Sequence, residues 1–130
     1  MDKIFILYLC GIYNVILIVF HLLFWKVFNW KTTLNKGTKA NKAVIQIMNI
    51  QLIYLFAFMA VVYLIYPKEL LQSKIGFLFL FGFSGFWIVR FFQQFIFLKQ
   101  KGKFVIGLTI LFLIGAILHT IPLFYDYKIG

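Results

Sequence analysis

Four long apolar runs constrain the fold of this chain more than any other feature of its sequence. They cover residues 4–25, 43–66, 75–98 and 104–124, and each is close to the roughly 20 helical residues that cross a hydrocarbon core. Backbone in lipid must satisfy its own hydrogen bonds, so continuous apolar runs predict helices rather than the alternating strands of a membrane barrel. We therefore expect an all-α integral membrane protein, a four-helix transmembrane bundle that forms a single domain.

The composition agrees with a membrane-embedded chain. Of the 130 residues, 64% are hydrophobic and only 12% are charged, whereas soluble domains carry about 25% charged residues. This balance excludes an ordinary soluble globule and a disordered tail. Cys10 is the single cysteine, which excludes an intrachain disulfide, and no HExxH or CxxC spacing is present. We expect no metal or other cofactor.

The lysines predict the orientation of the bundle, because cytoplasmic loops collect Lys and Arg. One side has a net charge of +8 and the other of +1. The charged side holds Lys26, Lys31, Lys36, Lys39, Lys42, Lys99, Lys101 and Lys103; the other holds Lys3, Lys68, Lys74 and Lys128, offset by Asp2, Glu69 and Asp126. Both termini should therefore lie on the non-cytoplasmic side.

The lysine-rich first loop has two interpretations. It could bind nucleic acid or anionic lipid, or it could simply fix the topology of the chain. The second is favoured, because the distribution of charge across the membrane already accounts for these lysines. We expect no nucleic-acid partner. Aromatic residues interleaved with the lysines, namely Trp25, Phe28 and Trp30, are typical of the membrane interface.

Polar side chains recur near the predicted cytoplasmic ends of the four helices, and together they predict a polar belt in the inner leaflet. Residues three, four or seven apart share one face of a helix, so the faces should point into a pocket that opens toward the cytoplasm. Amides that merely bond across helices as packing contacts are the competing interpretation. The belt comprises Asn14, His21, Gln46, Asn49, Gln51, Arg90, Gln93, Gln94 and Thr109.

Arg90 is the most informative member of this belt. Burying an arginine in the membrane costs about 2.5 to 3.5 kcal/mol even on the mildest insertion scale, and all three carboxylates of the sequence lie at the predicted outer ends. The charge could be offset by lipid phosphate reached by snorkelling, by a bound anionic substrate or headgroup, by water and amide oxygens, or by an acid of a partner chain. Trp87, one turn away, could cover the guanidinium through a cation–π contact. The candidate ligand-binding residues are thus Arg90, Gln94, Gln93, His21, Asn49, Gln46 and Trp87.

Small residues predict where helices approach closely. In the third and fourth runs these are Gly82, Ser84, Gly85, Gly107 and Gly115. We expect close packing of these two helices, with a dimer interface as the alternative.

Three stretches of the sequence combine aromatic and polar residues in a recognisable pattern. They are His21-x-x-Phe24-Trp25-x-x-Phe28-x-Trp30, then Asn41, Gln46 and Asn49-x-Gln51-Leu52-x-Tyr54, then Phe86-Trp87-x-x-Arg90-x-x-x-Gln94. This pattern resembles a family of small, uncharacterised four-span bacterial membrane proteins. The resemblance covers most of the chain and implies a four-span, multi-pass protein of the inner (plasma) membrane, with no biochemical activity attached.

Two functional hypotheses follow from these features. The first is a transport, channel or lipid- and anion-binding protein in which Arg90 holds an anionic lipid or a small anion, in a homo-oligomer because four helices enclose little volume. The second is an accessory or structural subunit of a larger membrane complex, with Arg90 paired to an acid of the partner. An enzyme is not expected, because the belt offers no carboxylate, thiol or metal triad beside its one histidine.

Overall fold

The computed structural model describes residues 2–125, and every regular element within them is a helix. Four helices are long and apolar enough to cross a membrane, which confirms the predicted all-helical class and the four runs. The α-helices are α1 (Lys3–Leu22), α2 (Phe24–Val27), α3 (Trp30–Thr33), α4 (Lys39–Ile65), α5 (Pro67–Gln72), α6 (Lys74–Phe97) and α7 (Lys103–Thr120), with 3-10 turns at Leu34–Lys36 and Ile121–Phe124. Asp126 and Lys128 lie outside the described residues.

Short polar residues begin three of the long helices. The Asp2 carboxylate accepts from the Ile4 amide, the Thr38 hydroxyl from the Asn41 amide, and the Ser73 hydroxyl from the Gly76 amide. Such caps satisfy amides that have no partner within the helix. Thr38 starts α4 at Lys39, four residues before the predicted start of the second run.

The first helix ends earlier than the apolar run predicts, at Leu22 rather than at residue 25. The chain continues into the short helices α2 and α3, which are separated at Asn29 by a left-handed backbone conformation with φ of 50°. Asparagine tolerates this conformation better than most residues. The hydropathy of the sequence does not show where α1 ends, because Trp25, Val27 and Phe28 continue the apolar composition beyond the end of the helix.

The long helices form a closed antiparallel bundle. α1 packs mainly against α4, α6 mainly against α7, and α1 also contacts α7. Aromatic pairs close the ring between α4 and α6, with Phe56 stacked on Trp87 at 5.5 Å between ring centroids. We call the end that holds residues 23–38 and 98–102 the lysine-rich end; the opposite end holds α5 and the Ile121–Phe124 turn.

The glycines do not pack as the sequence predicts. The predicted packing of α6 against α7 is confirmed, but a Cβ added at Gly82, Gly85 or Gly107 would meet no heavy atom within 4 Å, so the prediction that these glycines mediate it is wrong. A Cβ at Gly115 would collide with the Tyr13 ring of α1. The small residue of α7 therefore makes room for an aromatic ring of α1, which spacing within one helix does not reveal.

Candidate functional site

A cavity of about 300 Å³ lies within the bundle near the lysine-rich end. Its walls are mostly aromatic and aliphatic side chains from α1, α2, α4, α6 and α7 and from the connections at the lysine-rich end. The polar residues that line it are His21, Arg90 and Gln100. We call it the Arg90 cavity.

Arg90 is half-buried on α6, about 10 Å by helical rise from the end of the helix at Phe97. Its guanidinium lies over the ring of Phe112 on α7, with Cζ 4.0 Å from the ring centroid. Nη1 donates a hydrogen bond of 3.3 Å to Oε1 of Gln94. An arginine carries five N–H donors, so these two contacts orient the group while leaving other donors free to bind in the cavity.

Gln94 supports Arg90 from within the bundle. Its side chain is buried, and Nε2 donates to the carbonyl of Val105 on α7 at 3.4 Å. The amide therefore bridges two helices and presents its oxygen to the guanidinium. Gln94 positions Arg90 and does not itself line the Arg90 cavity.

The charge of Arg90 faces no carboxylate in the part of the chain that the structure describes. The acids within residues 2–125 are Asp2, at the start of α1, and Glu69, in α5. Both belong to the opposite end of the bundle. A half-buried cation without an ion-pair partner is costly, and the contacts of this guanidinium are with a neutral amide and an aromatic ring.

His21 lines the same cavity as Arg90, as predicted for a shared pocket. Its Nδ1 lies 2.8 Å from the Leu17 carbonyl, and a carbonyl only accepts, so Nδ1 carries a proton. The ring stacks on Phe24 with 4.2 Å between centroids. Nε2 makes no hydrogen bond to a described residue and is available to a ligand or water.

Asn49 and Gln46 do not line the cavity. Asn49 is buried and donates from Nδ2 to the His21 carbonyl at 3.0 Å. Gln46 accepts from Nε1 of Trp25 at 3.2 Å and donates to the Lys42 carbonyl at 3.1 Å. Asn49 thus joins α4 to the end of α1, and Gln46 joins α4 to α2, which is the packing role that the sequence left open.

Gln93 lies on the outer side of α6. It is exposed and lines a second cavity, of about 460 Å³, between α4 and α6. We call this cavity the lateral groove; it is lined by Met48, Leu52, Gly85, Phe86, Val89, Arg90 and Gln93. Arg90 and Leu52 thus line both the Arg90 cavity and the lateral groove.

The prediction that Trp87 covers Arg90 was wrong. Trp87 is fully buried and stacks between Phe56 and Phe112, at ring centroid distances of 5.5 Å and 6.2 Å. Phe112 occupies the position over the guanidinium instead. Trp87 shares a face with Arg90, but that face turns toward the bundle centre, where α7 brings its own ring into contact.

The sequence also misplaced Asn14, which was expected in the pocket with His21. Asn14 is fully buried, and its Nδ2 lies 3.0 Å from Nε2 of His119. Nδ1 of His119 is 2.7 Å from the Gly115 carbonyl, so Nδ1 donates and Nε2 accepts from the amide. This pair belongs to the core of the bundle.

Thr109, the last residue of the predicted polar belt, does not reach the Arg90 cavity. Its hydroxyl donates to the Val105 carbonyl of its own helix at 2.9 Å. Within residues 2–125 no group of three or more His, Cys, Asp or Glu side chains could hold a metal ion.

Comparison with known proteins identifies no relative. No family model, curated protein or solved structure matches the chain. The resemblance to small four-span bacterial proteins therefore stays a prediction.

Proposed function

We propose that the chain is a multi-pass membrane protein whose four long helices cross the bilayer, with the lysine-rich end in the cytoplasm and both termini outside. Large apolar side chains are exposed on the outer faces of all four helices; examples are Val19, Ile47, Leu78 and Ile110. Soluble monomers seldom expose contiguous apolar surface on this scale. The lysines at one end supply the charge bias that the orientation requires.

Within this membrane protein, we propose that Arg90 binds an anionic group. The observation that carries the proposal is the position of Arg90: half-buried at a cavity, held by Gln94 and Phe112, with no carboxylate of residues 2–125 beside it. A guanidinium binds phosphate or carboxylate through paired N–H donors. The cost of burying it falls when an anion occupies the site.

The remaining features of the Arg90 cavity fit such a ligand. Its volume of about 300 Å³ is at the lower end of the range for small-molecule sites, which suits a headgroup or a small anion. Gln100 and Nε2 of His21 offer further hydrogen bonds to the bound group. Transport, a channel, or the handling of lipids are the processes that this site would serve.

An accessory subunit is the second candidate, and the lateral groove is the observation that favours it. Arg90 lines this groove, so an acidic side chain on a helix of another protein could reach it from the side. The two candidates differ in what neutralises Arg90. One requires a bound anionic molecule and the other a second polypeptide.

Native mass spectrometry of the protein released from nanodiscs tests the proposal. The wild type is compared with Arg90→Ala and with Lys99→Ala, which removes the same charge from an exposed connection. We expect an anionic molecule on the wild type and on Lys99→Ala, and at least a tenfold lower occupancy on Arg90→Ala. Equal occupancy on all three proteins, or a stoichiometric second polypeptide in place of the small molecule, would contradict anion binding.

A further inference from the structure

We infer that the ligand at Arg90 is an anionic phospholipid of the surrounding bilayer, with its phosphate at the guanidinium and an acyl chain in the lateral groove. This inference rests on the proposed anion site and adds the class of ligand and the route by which it arrives. The Arg90 cavity alone would suit any small anion. The lateral groove is the feature that selects a lipid.

The lateral groove opens to the outside of the bundle. Met48 on α4 and Val89 on α6 are 60% and 56% exposed, although both line it. In a bilayer this surface faces lipid, so the groove is reached from the hydrocarbon rather than from water. A dissolved ion has no favourable path through an apolar opening of this kind.

The lateral groove and the Arg90 cavity meet at Arg90. Arg90 and Leu52 line both spaces, one from α6 and the other from α4. A molecule in the groove therefore reaches the guanidinium without crossing the packed core. The same guanidinium can bind a headgroup that extends toward the cavity.

The polarity of the lateral groove matches the orientation of a lipid in the cytoplasmic leaflet. Arg90 and Gln93 are its polar residues and lie nearer the lysine-rich end of α6. Gly85, Phe86 and Val89 line it farther from that end. A phospholipid in that leaflet points its phosphate toward the lysine-rich end and its acyl chains toward the middle of the bundle.

The length of the lateral groove leaves room for part of an acyl chain. From Arg90, where the phosphate would lie, to Gly85 the helix rises about 7.5 Å, and half of a typical hydrocarbon core is about 15 Å. The groove thus follows an acyl chain through about half of its leaflet. The charge of Arg90 without a nearby carboxylate in residues 2–125 makes an anionic headgroup the complementary partner.

Gly85 is a position of the lateral groove at which a side chain can be added. A Cβ at this position meets no heavy atom within 4 Å, and the same holds at Gly82, which lies outside the groove. Gly85→Leu adds a side chain where the acyl chain would lie. Gly82→Leu adds the same side chain to the same helix and is the matched control.

The wild type and the two variants are each reconstituted in nanodiscs that contain equal amounts of phosphatidylglycerol and phosphatidylcholine. The lipid that each protein retains is measured by native mass spectrometry. We expect the wild type and Gly82→Leu to retain phosphatidylglycerol preferentially, and Gly85→Leu to retain at least tenfold less. Circular dichroism establishes that both variants fold. Undiminished retention by a folded Gly85→Leu, or equal retention of the two lipids by the wild type, would overturn the lipid inference.

A second arm separates this inference from the anion site itself. Inorganic phosphate is titrated into detergent-solubilised wild type and Arg90→Ala, and the bound fraction is measured. If phosphate binding depends on Arg90 but Gly85→Leu retains as much phosphatidylglycerol as the wild type, the anion site is supported and the lipid inference is overturned. Phosphatidylglycerol retention that Arg90→Ala leaves unchanged overturns both.

Discussion

The guanidinium of Arg90 lies over the ring of Phe112, with 4.0 Å between Cζ and the ring centroid. This contact joins α6 to α7 at the wall of the Arg90 cavity. A ring face attracts a cation by about 0.5 to 2 kcal/mol, depending on how far both are removed from water. Phe112 therefore holds the charge in place and leaves N–H donors free for a ligand.

The Phe112 contact predicts a measurable coupling. Phe112→Leu should destabilise the protein more in the wild type than in an Arg90→Gln background, by about 1 kcal/mol, because only the former loses the cation–π attraction. Denaturant unfolding in detergent measures all four proteins. Phe95→Leu, at an exposed ring on α6, should show no coupling to Arg90. Strict additivity of Phe112→Leu and Arg90→Gln would mean that the ring does not stabilise the charge.

Substitution of Gln94 by glutamate should mimic the negative charge of the bound anion. Gln94→Glu places a carboxylate where the amide oxygen accepts from Arg90 at 3.3 Å. The new ion pair should compete with the bound anion and lower its occupancy at least tenfold, as measured by native mass spectrometry. Gln72→Glu, an exposed site at the opposite end, makes the same change in charge and should leave occupancy unchanged. Full occupancy in Gln94→Glu would argue against an anion at Arg90.

The sequence predicts the helices of this protein better than the contacts between them. Hydropathy located all four long helices, because length and continuous apolar character report directly on spans of this kind. Counting residues along each run also predicted that Arg90, Gln94 and His21 lie near the lysine-rich end. Their partners came from other helices: Phe112 over Arg90 and Val105 beside Gln94.

The register between antiparallel helices accounts for the misplaced residues. Counting from the ends of each run put Asn14 in the inner belt and His119 near the outer end, yet the two side chains hydrogen-bond. Tyr13 fits against Gly115, and this contact aligns α1 with α7. A single sequence contains no signal for such a fit, because it depends on the shapes of two surfaces that are distant in the chain.

The Asn14 and His119 pair predicts a stability effect without a functional one. Asn14→Leu leaves Nε2 of a fully buried His119 without its donor, at a cost of about 1 to 3 kcal/mol. The double variant Asn14→Leu/His119→Leu should cost less than the sum of the two single variants, as denaturant unfolding would measure. Lipid occupancy should stay at the wild-type level in each folded variant. Additive costs would show that the two side chains do not interact.

Cysteine labelling tests the proposed orientation. Lys36 is exposed at the lysine-rich end and Gln72 at the opposite end. In intact cells an impermeant maleimide should label Gln72→Cys, whereas Lys36→Cys should react only after the membrane is permeabilised. The native Cys10 is fully buried and gives the unlabelled baseline. The reverse pattern would invert the topology and place Arg90 in the other leaflet.

Arg90 is the single arginine of the sequence, so its contact with a lipid phosphate can be measured without signals from other guanidinium groups. Arginine labelled with 15N gives guanidinium signals from this residue alone, and solid-state NMR in phosphatidylglycerol bilayers measures its dipolar coupling to the lipid 31P. We predict a nitrogen-to-phosphorus distance below about 4.5 Å, as a hydrogen bond of about 2.8 Å to a phosphate oxygen requires, and loss of this coupling in Gly85→Leu. A guanidinium with no coupling to phosphorus in these bilayers would show that Arg90 does not bind a lipid phosphate.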